Sequence, residues 1–245
     1  MLSTRATCSC LLRTWFVNAA NSTRGMQEIG LLFVLEPGLR ELYPEEERLA
    51  AALGRYAEHA NTHPFLLPLF AGMLLSLEEQ AAAGLLPESL LKTFKNATAP
   101  TLSALGDAFF SGTLLPMWAI GTTLLILQGW TTAALALAAL AVCALTAFRA
   151  AIFFLGLRQN MRALQWLRRL DLVNWASRLK SVNAVLLAVL FWRLLPPGLE
   201  TAWPLLLTGA ALLAGAAWGV GRLQLSRLAL FTAALLTLML TGRFL

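Results

Sequence analysis

The chain has 245 residues, 58% of them apolar and 13% charged, with a net charge of +6. A soluble domain is about 25% charged, so the composition excludes one and indicates an all-α integral membrane protein. Residues 1–107 hold eight Lys or Arg against eleven Asp or Glu, and residues 108–245 hold eleven against two, set between apolar runs. That pattern fits basic cytoplasmic loops beside a lipid bilayer and excludes a nucleic-acid-binding face.

Cys8 and Cys10 fall in a polar N-terminal tail and Cys143 in an apolar run. Three cysteines without a CxxC pair imply neither a disulfide framework nor a zinc site. Arg13 interrupts the only apolar stretch near the start, so no signal peptide is expected and the N-terminus is expected in the cytoplasm. Residues 12–43 read as two helical pieces, the second running from Met26 into a bend or break near Glu36-Pro37, because proline removes a donor and restricts its predecessor. Pro44 and Glu45-Glu46-Glu47 open a further helix with Leu49, Ala52, Leu53 and Tyr56 on one stripe, ending at Asn61-Thr62-His63 before Pro64.

The apolar run 64–77 is too short to span and is stopped by Glu78-Glu79-Gln80; a second short run, 97–105, is interrupted by Pro100. The pair reads as two arms of a re-entrant hairpin, of the kind that places polar groups at mid-membrane. Residues 1–107 are therefore expected to hold N-terminal amphipathic helices, cytoplasmic or interfacial, and this hairpin. Residues 108–245 are expected to hold about five transmembrane helices.

No charge lies between Asp107 and Arg149, a gap of 41 residues broken only by the polar stretch Gln128-Gly129-Trp130-Thr131-Thr132. That is room for two spans, 108–127 and 133–155, with a turn between. Arg158, Arg162, Arg168 and Arg169 then stud a basic amphipathic cytoplasmic segment near 157–180, suited to an anionic leaflet. Further spans are expected at 181–195, 202–220 and 228–244, with Arg222 and Arg227 inside and the C-terminus outside. Gly215 and Gly219 make a small-residue packing face.

Asn61, Thr62 and His63 at one arm and Asp107 at the other are candidates for one polar region at membrane depth, either a substrate pathway or a partner interface. Asp107 is equally readable as an interfacial acid in water. His59 and His63, four apart beside Glu58, have metal-ligand spacing on a helix, but the helix is expected to stop there and no third ligand follows. No catalytic, metal-binding or nucleotide-binding motif is complete in the chain, and no cofactor is implied.

Several short motifs occur in order. They are Asn18-Ala-Ala-Asn21, Met26-Gln27-Glu28-Ile29-Gly30, Leu42-Tyr43-Pro44, Asn61-Thr62-His63-Pro64-Phe65, Leu77-Glu78-Glu79-Gln80, and Leu105-Gly106-Asp107 followed by Phe110-Ser111-Gly112-Thr113 and Pro116. Together they resemble the IID membrane component of the mannose/fructose/sorbose family of bacterial phosphotransferase systems. The resemblance adds Glu78, Glu79, Ser111 and Thr113 to the pathway or interface candidates. It implies a multi-pass protein of the bacterial inner membrane that forms a sugar path with a IIC membrane subunit. Cytoplasmic IIA and IIB subunits would relay phosphate, with no phosphorylated residue in this chain. A hexose-type sugar and a higher-order oligomer of heterodimers are also implied.

The chain departs from the family pattern at Ala20, where tryptophan is usual, at Thr98–Ala104, where a glycine-rich run is usual, and at Leu115, where arginine is common. A transport-incompetent scaffold or sensory subunit is the alternative these departures leave open.

Overall fold

The computed structural model describes residues 2–194 and the isolated positions 207, 211 and 215. One compact unit ends at Leu190 and holds the elements described below up to that residue of α9. The described elements are all helices: α1 (Thr4–Arg13), a 3-10 helix (Thr14–Ala20), α2 (Glu28–Leu42), α3 (Glu46–Tyr56), α4 (Leu67–Ala82), α5 (Glu88–Gly106), a π-helical segment (Asp107–Leu114), α6 (Leu115–Leu127), α7 (Thr131–Gln159), α8 (Arg162–Arg169) and α9 (Leu172–Leu194).

The expected polar tail is helix α1, capped by Ser3, whose Oγ accepts the Ala6 N–H at 3.2 Å. Its Cys10 is buried, and burial pushes that thiol up to about 11. No break occurs where a bend or break is expected near Glu36; α2 continues past Pro37 to Leu42. The Phe33 carbonyl, which Pro37 cannot serve, instead accepts from Arg13 Nη1 at 2.8 Å, and the same nitrogen binds Glu36 at 2.6 Å. A remote guanidinium thus replaces the lost donor.

Helix α4 is the centre of the fold. Every side chain from Leu67 to Leu77 is buried, against α2, α5 and α7. The arm expected over 64–77 is therefore a regular helix inside protein, and Glu78-Glu79-Gln80 does not stop it. Glu78, fully buried, has donors on every side, so its charge is tolerated there. A Cβ on Gly72 would lie 2.3 Å from the Phe153 carbonyl oxygen, and one on Gly156 2.4 Å from that of Leu69. Only two glycines let α4 and α7 approach so closely.

The second expected arm, 97–105, belongs to α5, which is not broken at Pro100 and continues through the π segment and α6 as one helix from Glu88 to Leu127. At about 1.5 Å per residue its 40 residues reach roughly 60 Å, twice the hydrocarbon core, so part of it lies outside lipid. The division expected at position 107 falls inside this helix. α4 and α5 do form a helical hairpin, turning at Gly84 with φ +74°.

The turn expected over 128–132 is present, with Gly129 at φ +78°. Helices 88–127 and 131–159 are both long and apolar enough to cross a membrane and contain the first two stretches expected to span, the first helix starting twenty residues before its expected stretch. The basic segment near 157–180 is three helices, not one, because Asn160 (φ 53°) and Asp171 (φ 50°) interrupt it. Short polar side chains tolerate such angles best. In α8, Ala163 and Leu167 are buried and the arginines exposed, as the amphipathic reading requires. The helix expected from 181 begins at Leu172. The expected spans 202–220 and 228–244 and the Gly215–Gly219 face lie outside the described residues, apart from single positions.

Candidate functional site: a polar cleft beside the long helix

The site is built on the connector between α3 and α4. α3 ends at Tyr56, so Ala57–Leu66 are non-helical, and His59 and His63 do not share a helix face. The connector is stitched to the 3-10 helix by Gln27. Its side-chain oxygen accepts the Thr62 N–H at 2.9 Å, its amide donates to Asn18 Oδ1 at 2.9 Å, and its own N–H binds the Ala60 carbonyl at 2.8 Å. Three of the sequence motifs meet in that one side chain.

The connector and α5 enclose a cleft of about 570 Å³, lined by Glu58, His59, Asn61, Lys95, Ser103 and Asp107 among others. Asn61 Nδ2 lies 3.4 Å from Ser103 Oγ. Lys95, buried on α5, donates to the Arg55 carbonyl at 3.3 Å and lies 3.7 Å from Glu58. The hydrogen bond from Lys92 to Glu58, at 2.6 Å, holds that carboxyl below its ordinary value. Pro100 also lines the cleft and has no N–H for the Asn96 carbonyl one turn before it. Asp107 is exposed and makes no ion pair among the described residues. Hydroxyl, amide, carboxylate and ammonium groups thus converge, a set suited to a polyhydroxylated ligand or a polar partner.

Thr62 and His63 sit behind the cleft. Thr62 is buried, and its Oγ1 has no partner among the described residues. The His63 side chain packs on Gly106, where a Cβ would fall 2.1 Å from the His63 Cβ, and its ring stacks on Phe110 at 5.3 Å. Nδ1 accepts the Phe65 N–H at 3.3 Å, which assigns the proton to Nε2 facing Ser111 Oγ at 3.0 Å. Burial lowers the His63 pKa from 6.5, with Asp107 opposing and Arg149 reinforcing that shift.

Ser111 reaches His63 from the π segment, where the Leu115 N–H returns to the Phe110 carbonyl and Pro116 follows without a donor. Such segments recur at functional sites. Thr113 is buried in the same segment. Its hydroxyl bonds the Phe109 carbonyl, and its own carbonyl accepts from Asn183 of α9 at 2.9 Å.

Glu78 lies outside the cleft. Tyr43 and Tyr56 hydroxyls each donate to it at 2.7 Å, and Arg55 binds it at 2.7 and 3.2 Å while reaching Glu88 at 2.6 Å. Burial first, then Glu78, raises the pKa of both tyrosines. Arg55 joins this cage to the cleft, since its carbonyl is the Lys95 acceptor. Glu79, half-buried, is not among the residues lining the cleft.

Sequence reasoning missed Lys95, Ser103 and Arg149. The last, 4% exposed on α7, donates to the Pro64 carbonyl at 2.8 Å and the Thr14 carbonyl at 2.9 Å, and stacks 4.3 Å over Trp15. Its position at the end of the charge-free gap was the available signal.

The chain matches the model of the PTS system mannose/fructose/sorbose family IID component over residues 1–192. It belongs to that family. The mannose-specific EIID component of Escherichia coli (strain K12) is 36% identical over 96 residues, 38% of this chain and 34% of that one. The sorbose-specific EIID component of Lacticaseibacillus casei is 30% identical over 133 residues, 52% and 47% of the two chains. The fructose permease IID component of Bacillus subtilis (strain 168) is 27% identical over 112 residues, 45% and 41%. This IID chain thus spans between a third and a half of the length of the curated relatives it matches.

Two solved structures share its fold over 99% of this chain and 97% of theirs. One is from the cryo-EM structure of the mannose transporter ManYZ with microcin E492, at TM-score 0.61 and 22% identity. The other is described as a membrane protein, at 0.74 and 21%. The two long apolar helices and the IID family agree on a membrane component.

Proposed function

We propose that this IID chain is the membrane subunit of a sugar-translocating phosphotransferase system and forms the sugar path with a IIC subunit. The convergence of Asn61 from the connector with Ser103 and Asp107 in one polar cleft, beside a helix long and apolar enough to cross a membrane, carries the reading. Buried or membrane-depth polar groups are costly unless they meet a ligand or a partner. The chain carries no phosphoryl group itself, and partner IIA and IIB subunits deliver phosphate to a hexose-type sugar. It is a multi-pass protein of the inner membrane with a cytoplasmic N-terminus, assembled as an oligomer of IIC–IID pairs. Thr62, His63, Ser111 and Thr113 shape the wall behind the cleft, and Glu78 and Glu79 support it from α4.

Uptake of labelled mannose, fructose and sorbose is compared in cells expressing IIA, IIB and IIC with and without this chain. Uptake of one sugar that depends on the chain is expected. Recovery of the complex without dependent uptake of any of the three would replace transport by the scaffold or sensory role.

A further inference from the structure

α7 ends at Gln159, and the chain leaves it through Asn160 with φ 53°, which bends α8 away. The elbow holds a cavity of about 580 Å³ lined by Gln80 of α4 and by Arg158, Gln159, Asn160, Met161 and Arg162. No carboxylate is among its lining residues, and neither arginine forms an ion pair among the described residues. Two guanidinium groups in one concavity attract an anion, phosphate above all, because the planar fork matches its oxygens.

The cavity has an apolar neighbour. A trough of about 240 Å³ between α4 and α5 is lined by Leu77, Leu86, Leu90, Phe94, Ala97 and again Met161, with Thr93 the one polar residue among the described lining residues. Met161 therefore borders both spaces, a cationic one and an apolar one. A ligand filling both is an amphiphile with an anionic head and a hydrocarbon tail. Arg158 stands in the last turn of a helix long enough to span the bilayer, which is headgroup depth. Asn160 Oδ1 is buried without a partner among the described residues, so the elbow also holds an unsatisfied acceptor.

We propose that this elbow binds one anionic phospholipid, with its phosphate between Arg158 and Arg162 and an acyl chain in the trough. A glycerol headgroup fits best, since it adds hydroxyl donors to the anion. Bound there, the lipid ties α8 to the α4–α5 hairpin, which supports the cleft wall.

The test uses the full chain in detergent micelles, titrated with dioleoylphosphatidylglycerol or dioleoylphosphatidylcholine, with bound lipid counted by native mass spectrometry. Selective retention of one phosphatidylglycerol is expected. Arg158→Gln with Arg162→Gln should weaken it about twenty-five-fold, at roughly a fivefold effect for each basic residue. Arg158→Lys with Arg162→Lys should retain most of it, which separates lost charge from lost folding. Arg168→Gln with Arg169→Gln, outside the cavity, should leave it unchanged. Equal retention of both lipids, or equal loss from the 168/169 pair, would overturn the proposal. Displacement by inorganic phosphate or by glycerophosphoglycerol would assign a free-anion site and overturn it too.

Discussion

Glu78 on α4 and Asp107 in the π segment that continues α5 are both carboxylates, and their surroundings are opposite. Glu78 is fully buried and receives two tyrosine hydroxyls and two bonds from Arg55. Asp107 is exposed at the rim of a polar cleft and has no ion pair among the described residues. A buried charge with its donors in place serves the fold, because every lone pair is already used. An acid left open beside amides, a hydroxyl and an ammonium has capacity for a ligand or a partner. The state of their hydrogen bonds separates the two roles.

The largest effect is expected at the cage. Glu78→Ala leaves Arg55, Tyr43 and Tyr56 facing a void and should cost about 3–5 kcal/mol, the range for breaking a buried pair. It should appear as loss of folded protein in a detergent thermal-unfolding assay. A variant as stable as wild type would erase the contrast with Asp107. Next comes the contact that seats the cage's helix. Gly72→Val places a side chain where the Phe153 carbonyl already lies 2.3 Å from a Cβ, and should cost about 1–3 kcal/mol. The same substitution at Gly121, where a Cβ meets nothing within 4 Å, should cost far less.

A smaller effect depends on pH. The folded chain holds His63 below its ordinary value of 6.5, chiefly by burial, so the unfolded chain binds the proton more readily. Its contribution is intact above pH about 6.5 and is lost as pH falls below it. Wild type should therefore lose stability relative to His63→Gln between neutral pH and mild acid, and parallel stability curves would show His63 to be charged in the fold. The smallest effect on stability is at the cleft. Asp107→Asn should change it by no more than about 0.5 kcal/mol, as for an exposed position. A larger loss would place Asp107 with Glu78.

Some of this contrast was legible in the sequence. The 41-residue charge-free gap and the turn at Gln128-Gly129 set out two long apolar helices, and Asn61 and Asp107 were expected at one site and line one cleft. What failed were the breaks. Pro37 and Glu78 read as helix stops by local rules, but each is answered by a group far along the chain, Arg13 in one case and Tyr43, Arg55 and Tyr56 in the other. Pro100 failed as a stop because its missing donor falls on the Asn96 carbonyl, beside an open cleft. Arg149 could not be placed, since its partners at Thr14 and Pro64 are 135 and 85 residues away.

The claim that Asp107 works in the sugar path rather than in the fold is met most directly by one paired measurement on Asp107→Asn. Cells carrying IIA, IIB and IIC with this variant are assayed for uptake of the sugar that wild type supports and for recovery of the IIC complex by pull-down. Loss of a hydrogen bond to a charged group, about 1.5–3 kcal/mol, corresponds to uptake lowered by at least about tenfold. The account predicts that fall with the complex recovered at wild-type yield. Uptake at the wild-type rate would contradict it and leave Asp107 as an acid at the water interface.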